Sequence, residues 1–543
     1  MHGYEGVEAK SEEFDVVIIG SGINGMAAAA ELGLAGLSVA LVEQSDRIGG
    51  FIDSGEETLP GYIHDVYSSW HPLFVSGGAY ATLGKQLHGH GLEYSNTDGA
   101  MSGSIAAEGA AVAYRDPEAT AAEFGDPADR RAYSVMMAEM GRRADLVFGL
   151  LGSEVRSASL LKLGLSSLPK QRLNGFESLA RDAVTSGRAF ARNRFVGTEA
   201  DQIWAPWLLH AGISPDSAMG GIMIPVLATA MHGFGVPTVT GGAGNLVKAF
   251  EGLFTANQVT VLTGHRAERI ITSGQTATGV ITDRGAFTAR RAVLASVTPQ
   301  ALYNDLIPDA PVPQRIRKEA NSFRFGRAAM QIHVALDRPL TWADGRLDDA
   351  PIVHVSDGSG STGIACAQAD AGLLPSAPTV VVGRQHVIDP SRVPEGKGAL
   401  WLQLQELPWA PNGDSAGAIA VDGTWTAEVA QRYCDRVLER VGEHAPGLAS
   451  SVLKTTVIAP PDLAAANPNA VNGDPYGGSQ ELDQNVLWRP LAHSGTHATR
   501  IKNLWHIGAS THPGGGLGGV SGHLAAQQVL TRTERRTLDE RTS

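Results

Sequence analysis

Cysteine is nearly missing from this chain: Cys366 and Cys434 stand alone among 543 residues, 68 positions apart and outside any Cys-x-x-Cys pair. That excludes a disulfide framework, a thiol redox pair and a cysteine-rich metal site. Positive charge is also short, with 43 Lys and Arg against 56 Asp and Glu and a formal charge of -13. An acidic body repels phosphate backbones, so nucleic acid is not an expected partner. The first residues lack the basic-then-apolar order of a secretory signal, and the expected location is cytoplasmic. Charged residues are absent from Ser217 to Val247, but Pro225, Pro237 and seven glycines interrupt the run. A spanning helix needs about 20 mostly apolar residues with its backbone bonds closed internally. The stretch therefore reads as buried wall and turns, and any membrane association is expected to be peripheral. No Walker phosphate loop occurs. The pairs His88/His90 and His493/His497 lack a third ligand at metal spacing and read as surface histidines, so no metal is expected.

Glycine is abundant, 65 residues without a Gly-x-y period, which points to specific backbone duties. The first of these is legible at once. Val16–Ile19 is a β-branched run suited to a strand buried on both faces. Gly20-x-Gly22-x-x-Gly25 follows, then an Ala-rich helical stretch ending near Gly36, then a second strand over 38–42. In such a unit the first glycine makes the turn, the second admits a pyrophosphate and the third lets helix and strand pack closely. Glu43, 23 residues after Gly20, ends the second strand where a carboxylate can hold a ribose 2′-OH. Strand, turn, helix, strand and acid in register identify a dinucleotide site.

Just beyond it, Asp46-Arg47-Ile48-Gly49-Gly50-Phe51 resembles the FAD-binding signature shared by amine oxidases and the phytoene desaturase group. Many relatives carry a basic residue where this chain has Phe51. At the far end, Gly508-Ala-Ser-Thr-His512-Pro-Gly514-Gly515-Gly516 resembles the closing motif of phytoene desaturase-like oxidoreductases. There, backbone N–H groups and a helix N-terminus would meet the flavin. Residues 240–249, Pro461-Asp462-Leu463, Gly473-Asp474-Pro475 and Arg489-Pro490 agree with the branch that holds carotenoid ketolase-like enzymes and mammalian-type pyridine nucleotide-disulphide oxidoreductase-domain proteins.

The resemblance implies an α/β fold: a Rossmann-like FAD domain of the glutathione reductase-like type, with an interleaved α+β substrate domain. The expected division is FAD domain over 14–104, 236–305 and 491–530, helical cap over 105–235, substrate sheet over 306–490 and a charged, frayed tail over 531–543. Asp126-Pro127 is a helix start. Residues 332–336, 353–355, 379–382 and 399–404 read as strands beneath the substrate. Met219, Met223 and Met231 read as core filling, and Trp204, Trp207 and His210 as core that could face substrate.

The implied activity is FAD-dependent removal of hydride from a largely apolar small molecule to flavin N5, with electrons passing to oxygen, a quinone or another acceptor. Gly20–Gly25 is taken as the sole dinucleotide turn, so NAD(P)H is not expected as reductant. Catalytic candidates are His64, Asp65 and His71, which would run along the flavin, and His512 beside the glycine loop. Cofactor candidates are Gly20, Gly22, Gly25, Glu43, Gly49, Gly50, Gly508, Gly514, Gly515 and Gly516. A flavin amine oxidase and a non-catalytic flavin-binding scaffold are the alternatives.

Overall fold

A computed structural model describes residues 12–494 and 496–542, without the side chains of 159, 167–174 and 534–542. The apolar N-terminal run forms strand β1 (Glu12–Ile19), the Ala-rich stretch helix α1 (Ile23–Leu34), and the return strand β2 (Val39–Val42). β1 is the centre of a seven-stranded sheet. It pairs in parallel with β2 on one edge and with the strand Gly285–Ser296 on the other. β2 continues in parallel to Val259–Leu262. The strand Gly285–Ser296 is long enough to serve two partners along its outer edge. Its start pairs antiparallel with Thr276–Thr282, and its end parallel with Leu504–Ile507.

Side chains of β1 alternate between two cores. Val16 and Ile18 join α1 and the helices Gly78–Gly89, Gly244–Ala256 and Val520–Thr542. Val17 and Ile19 join the meander and the segment around Leu302, Tyr303 and Leu306. This two-sided burial explains why the run is continuously apolar. Each such side chain contributes about 1.5–3 kcal/mol by leaving water.

The second sheet runs, in spatial order, Val452–Ile458, Ala328–Leu336, Gly398–Leu407, Val380–Gly383, Ile352–Val355, Ala100–Ala106, Gly109–Tyr114. The expected strands of the substrate sheet are all present, three of them longer than anticipated and the one at Val380–Gly383 shifted by one residue. Leu400, Leu402 and Leu404 face the helix Ala427–Gly442. The intervening Trp401, Gln403 and Gln405 face a cavity. Helices Pro127–Leu151, Ala158–Val184, Gly187–Arg194 and Gly220–Phe234 build the cap. The Asp126 side chain caps the first of them, accepting from Ala128 N at 2.7 Å.

Three expectations need correction. Strand Ala100–Ala106 pairs with Ile352–Val355 in the second sheet, so the division at 104/105 falls inside an element of the substrate domain. The tail beyond 531 continues the helix Val520–Thr542, where a frayed end was expected. The charge-free stretch is buried wall as expected, but much of it is a helix, Gly220–Phe234, with Pro225 inside it, rather than turns. Among the described residues no helix is long and apolar enough to cross a membrane.

Candidate active site

The C-terminal ends of β1, β2, Gly285–Ser296 and Leu504–Ile507 open on one crevice, where parallel α/β sheets bind ligands. The glycines of the first turn divide the labour there. Gly20 adopts φ +88°, and a Cβ on it would sit 3.0 Å from Ser296 O. A Cβ on Gly25 would lie 2.0 Å from Gly20 O, so α1 can approach its strand only without one. A Cβ on Gly22 would meet nothing within 4 Å. That emptiness lies at the N-cap of α1, whose first N–H groups have no intrahelical acceptor. Gly50 closes over it, its Cβ position 3.2 Å from Gly22 Cα. Glu43 is drawn to the same place: its carboxylate accepts from Ser21 N at 2.9 Å, Ser21 Oγ at 2.7 Å and Ser45 N at 2.9 Å. An open cradle, a helix start and a carboxylate fit a diphosphate and a ribose.

A second Gly-x-Gly-x-x-Gly corrects the reading of Gly20–Gly25 as the sole such turn. Gly358, Gly360 and Gly363 lie between strand Ile352–Val355 and helix Ser359–Asp370. Its helix start is already held by carboxylates, Ser359 N donating to Asp201 at 2.8 Å and Ser361 N to Asp357 at 2.7 Å. A Cβ on Gly360 would stand 3.0 Å from Asp357 Oδ1. Acid fills this turn where the first is open, and phosphate is excluded.

From the cradle a cavity of about 1730 Å³, mouth included, runs to the second sheet. Gly22, Gly49, Gly50, Gly508 and Gly516 line one end. Trp70, Trp207, Trp401 and Tyr476 wall the remainder with Leu227 and Met231 of the cap. No Asp, Glu, Lys or Arg side chain lines it among the described residues. Trp207, His210 and Met231 therefore face the cavity, whereas Trp204, Met219 and Met223 belong to the cap core. Gly514 and Gly515 are not in the lining. Their Cβ positions abut Gln480 and the Tyr476 backbone, so they seat the loop that carries Gly516.

The four catalytic candidates are not brought together. Asp65 is fully buried and fully engaged, accepting from Arg392 Nη1 at 2.9 Å, Ala243 N at 2.7 Å and Ser69 Oγ at 2.5 Å. Arg392 also holds Asp389 at 2.8 Å and the Val239 carbonyl at 2.7 Å. Asp65 is the anchor of a buried ion network and does not line the cavity. His64 contacts Thr58 Oγ1 at 2.9 Å and lies over His333, also away from the cavity. Burial, then the charges of its neighbours, lowers its pKa to about 3. His512 donates from Nε2 to the Leu150 carbonyl at 3.1 Å, tying the glycine loop to the cap. Burial holds its pKa near 4. Only His71 reaches the cavity wall, with Nδ1 3.1 Å from Tyr94 OH. Burial, and then Arg392, holds it neutral with a pKa of about 3. His497, read as surface, is buried, with Nδ1 2.5 Å from Glu154 and Nε2 donating to the His512 carbonyl at 3.0 Å.

Several site residues escaped the sequence reading. Ser296 touches the Gly20 and Gly508 turns at once. Arg489, fully buried, donates to the carbonyls of Ser479, Tyr476 and Ala509, the last at 2.7 Å, and fixes the second glycine loop. His354 meets His210 Nε2 to Nε2 at 3.0 Å, and burial holds both imidazoles neutral. The Trp401-x-Gln403-x-Gln405 alternation was the one available signal for the cavity face of its strand.

The profile of the flavin containing amine oxidoreductase family matches residues 23–530. The chain belongs to that family. It is an FAD-dependent oxidoreductase with a Rossmann-like cofactor domain and a substrate domain. Over 559 aligned positions it is 24% identical to pyridine nucleotide-disulfide oxidoreductase domain-containing protein 2 of Rattus norvegicus, covering 95% of this chain and 93% of the relative. Phytoene dehydrogenase of Streptomyces griseus is 25% identical over 95% of this chain and 94% of its own. An oxidoreductase from Methanosarcina mazei shares the fold with a TM-score of 0.61 at 14% identity, over 94% and 99% of the two chains.

Proposed function

We propose that this flavoprotein is a phytoene desaturase-like dehydrogenase that oxidises a neutral, largely apolar small molecule. The observation that carries the reading is the cavity wall, rich in aromatic and aliphatic side chains and with no charged side chain among the described residues. A protonated amine would find no counter-ion there, and leaving such a charge unpaired in a dry site is expensive. The relatives named for phytoene support the same substrate class. FAD supplies the two-electron acceptor. The chain's part is to hold FAD through Gly20, Gly22, Gly25, Glu43, Gly49, Gly50, Gly508 and Gly516, to exclude water and to orient one C–H bond. His71 and His210, kept neutral by burial, are the only imidazoles on the wall among the described residues, and they can accept a hydrogen bond without adding charge. Electrons leave to oxygen, a quinone or another acceptor, since the second glycine turn is filled by the protein's own carboxylates. Exposed Leu161 and Leu165, one turn apart on the cap beside Lys162, support contact with a membrane face, and a cytoplasmic location is part of the same proposal.

The test is an anaerobic screen of the FAD-loaded enzyme with terpenoid hydrocarbons, alcohols and amines, read as loss of flavin absorbance. Bleaching by neutral apolar compounds is expected. Bleaching by amines alone would overturn the reading.

A further inference from the structure

One polar strip of the cavity wall has a hydrogen-bond polarity that can be traced from a fixed end. Tyr476 OH donates to the Leu209 carbonyl at 2.7 Å. A backbone carbonyl only accepts, so the Tyr476 proton is committed and its oxygen must accept in turn. Gln405 Nε2 supplies that bond at 2.7 Å, which sets the orientation of the Gln405 amide. The same Nε2 donates to Gln403 Oε1 at 2.9 Å. The Gln403 oxygen is thereby engaged, and its NH₂ group is left on the cavity side with no partner among the described residues.

Gln403 stands opposite Gln331 in the strand ladder and on the same face as Trp401, two residues away. The donor thus projects between Trp401 and Gln331, whose own buried Nε2 has no partner among the described residues either, while the buried Gln405 Oε1 is left as an acceptor without one. A pure hydrocarbon pressed against the Gln403 donor would strip water from an amide and return nothing, at the full desolvation penalty. A ligand oxygen at that point would satisfy it.

We infer that the substrate of this enzyme is an apolar chain bearing a neutral oxygen, a carbonyl or hydroxyl, received by the Gln403 amide, which makes Gln403 a specificity-determining residue. The inference rests on the apolar-substrate reading above and narrows it. The chain Leu209–Tyr476–Gln405–Gln403 acts as a ratchet of polarity: each member's orientation is dictated by the one before it, starting from the backbone.

The experiment titrates the FAD-loaded enzyme with one ten-carbon isoprenoid skeleton as hydrocarbon, primary alcohol and aldehyde, following the flavin difference spectrum. The aldehyde and alcohol are expected to bind about tenfold more tightly than the hydrocarbon, and Gln403→Leu to reduce that ratio to within about twofold. Hydrocarbon binding as tight as the aldehyde in the wild-type enzyme overturns this inference and leaves the apolar-substrate reading standing. So does an oxygen preference that survives in Gln403→Leu. If none of the three perturbs the flavin, the apolar-substrate reading fails and the inference with it. The wild-type comparison stands whether or not the variant folds, and flavin content and Tm report the variant's integrity.

Discussion

The second and third glycines of the first turn, Gly22 and Gly25, should respond in opposite ways to substitution. Gly22 has open space at its Cβ position and an extended backbone, φ −62° and ψ 173°, at the N-cap of α1. Asp is among the best N-cap residues, better than Gly by a few tenths of a kcal/mol. Gly22→Asp should therefore leave the apo fold as stable as before, or slightly more so. The new carboxylate would occupy the same N–H groups that a diphosphate needs. At about 5 Å from a phosphate charge, and an effective dielectric of about 20, repulsion is roughly 3 kcal/mol. Loss of a charge-assisted hydrogen bond adds about 1.5–3 kcal/mol. Together these weaken FAD at least a thousandfold, since about 1.4 kcal/mol is tenfold. Gly25→Ala is the reverse case. Its methyl would lie 2.0 Å from a backbone oxygen that cannot turn aside, and overpacking of this kind costs about 1–3 kcal/mol or more. The assay is paired: flavin-to-protein absorbance ratio of each purified variant, and Tm of each apo form. Colourless Gly22→Asp with an unchanged apo Tm, beside Gly25→Ala with a lowered one, is expected. A yellow, stoichiometric Gly22→Asp protein would refute the phosphate cradle, and an unfolded one would refute the emptiness argument.

Asp65→Asn should lower stability by roughly 3 kcal/mol, because it takes one of two carboxylates from buried Arg392. Turnover per bound flavin should change only a few-fold. A hundredfold loss with Tm intact would make Asp65 catalytic after all. Stability should also depend on acid. Burial lowers His64 and His71 to about 3, and His333, His386, His506 and His512 to about 4. Below the unfolded value of about 6.5 the unfolded chain binds protons that the fold refuses. Stability is then complete above about pH 7 and declines from 6.5 towards 4, by up to about 1.4 kcal/mol per pH unit for each histidine. Buried His210 and His354 act in the same sense, and Glu406, raised to about 7 by burial, acts in the opposite sense between pH 4.5 and 7. A Tm that stays flat from pH 7 to pH 5 would contradict this. Finally, NADPH mixed anaerobically with the enzyme should leave the flavin yellow; rapid bleaching would mean that a second nucleotide site had been overlooked.

What was readable in the amino-acid order is what short-range backbone geometry governs. Gly20, Gly22, Gly25 and Glu43 form one local unit whose spacing is the structure, and two-sided burial writes β1 as an unbroken apolar run. The catalytic candidates fared worse because their roles are decided by distant partners. Asp65 is engaged by Arg392, 327 positions away, and His512 by the Leu150 carbonyl, 362 positions away. Nothing near either residue announces the pairing. The Gly358–Gly363 turn carries the opposite lesson. Its spacing matches the first turn, yet Asp201, remote in sequence, takes the place a phosphate would need.

The last helix crosses α1 so closely that a Cβ on Gly522 would lie 1.8 Å from Asn24 O, and the strand before it, Leu504–Ile507, covers Val293–Ser296. Cofactor capture must therefore wait until the ribosome has passed Leu504–Ile507 and the helix that carries Gly522. A product that stops short of Leu504 would leave an apolar, unpaired strand edge at Val293, Leu294 and Ala295, the kind of surface on which unfinished chains stick to one another.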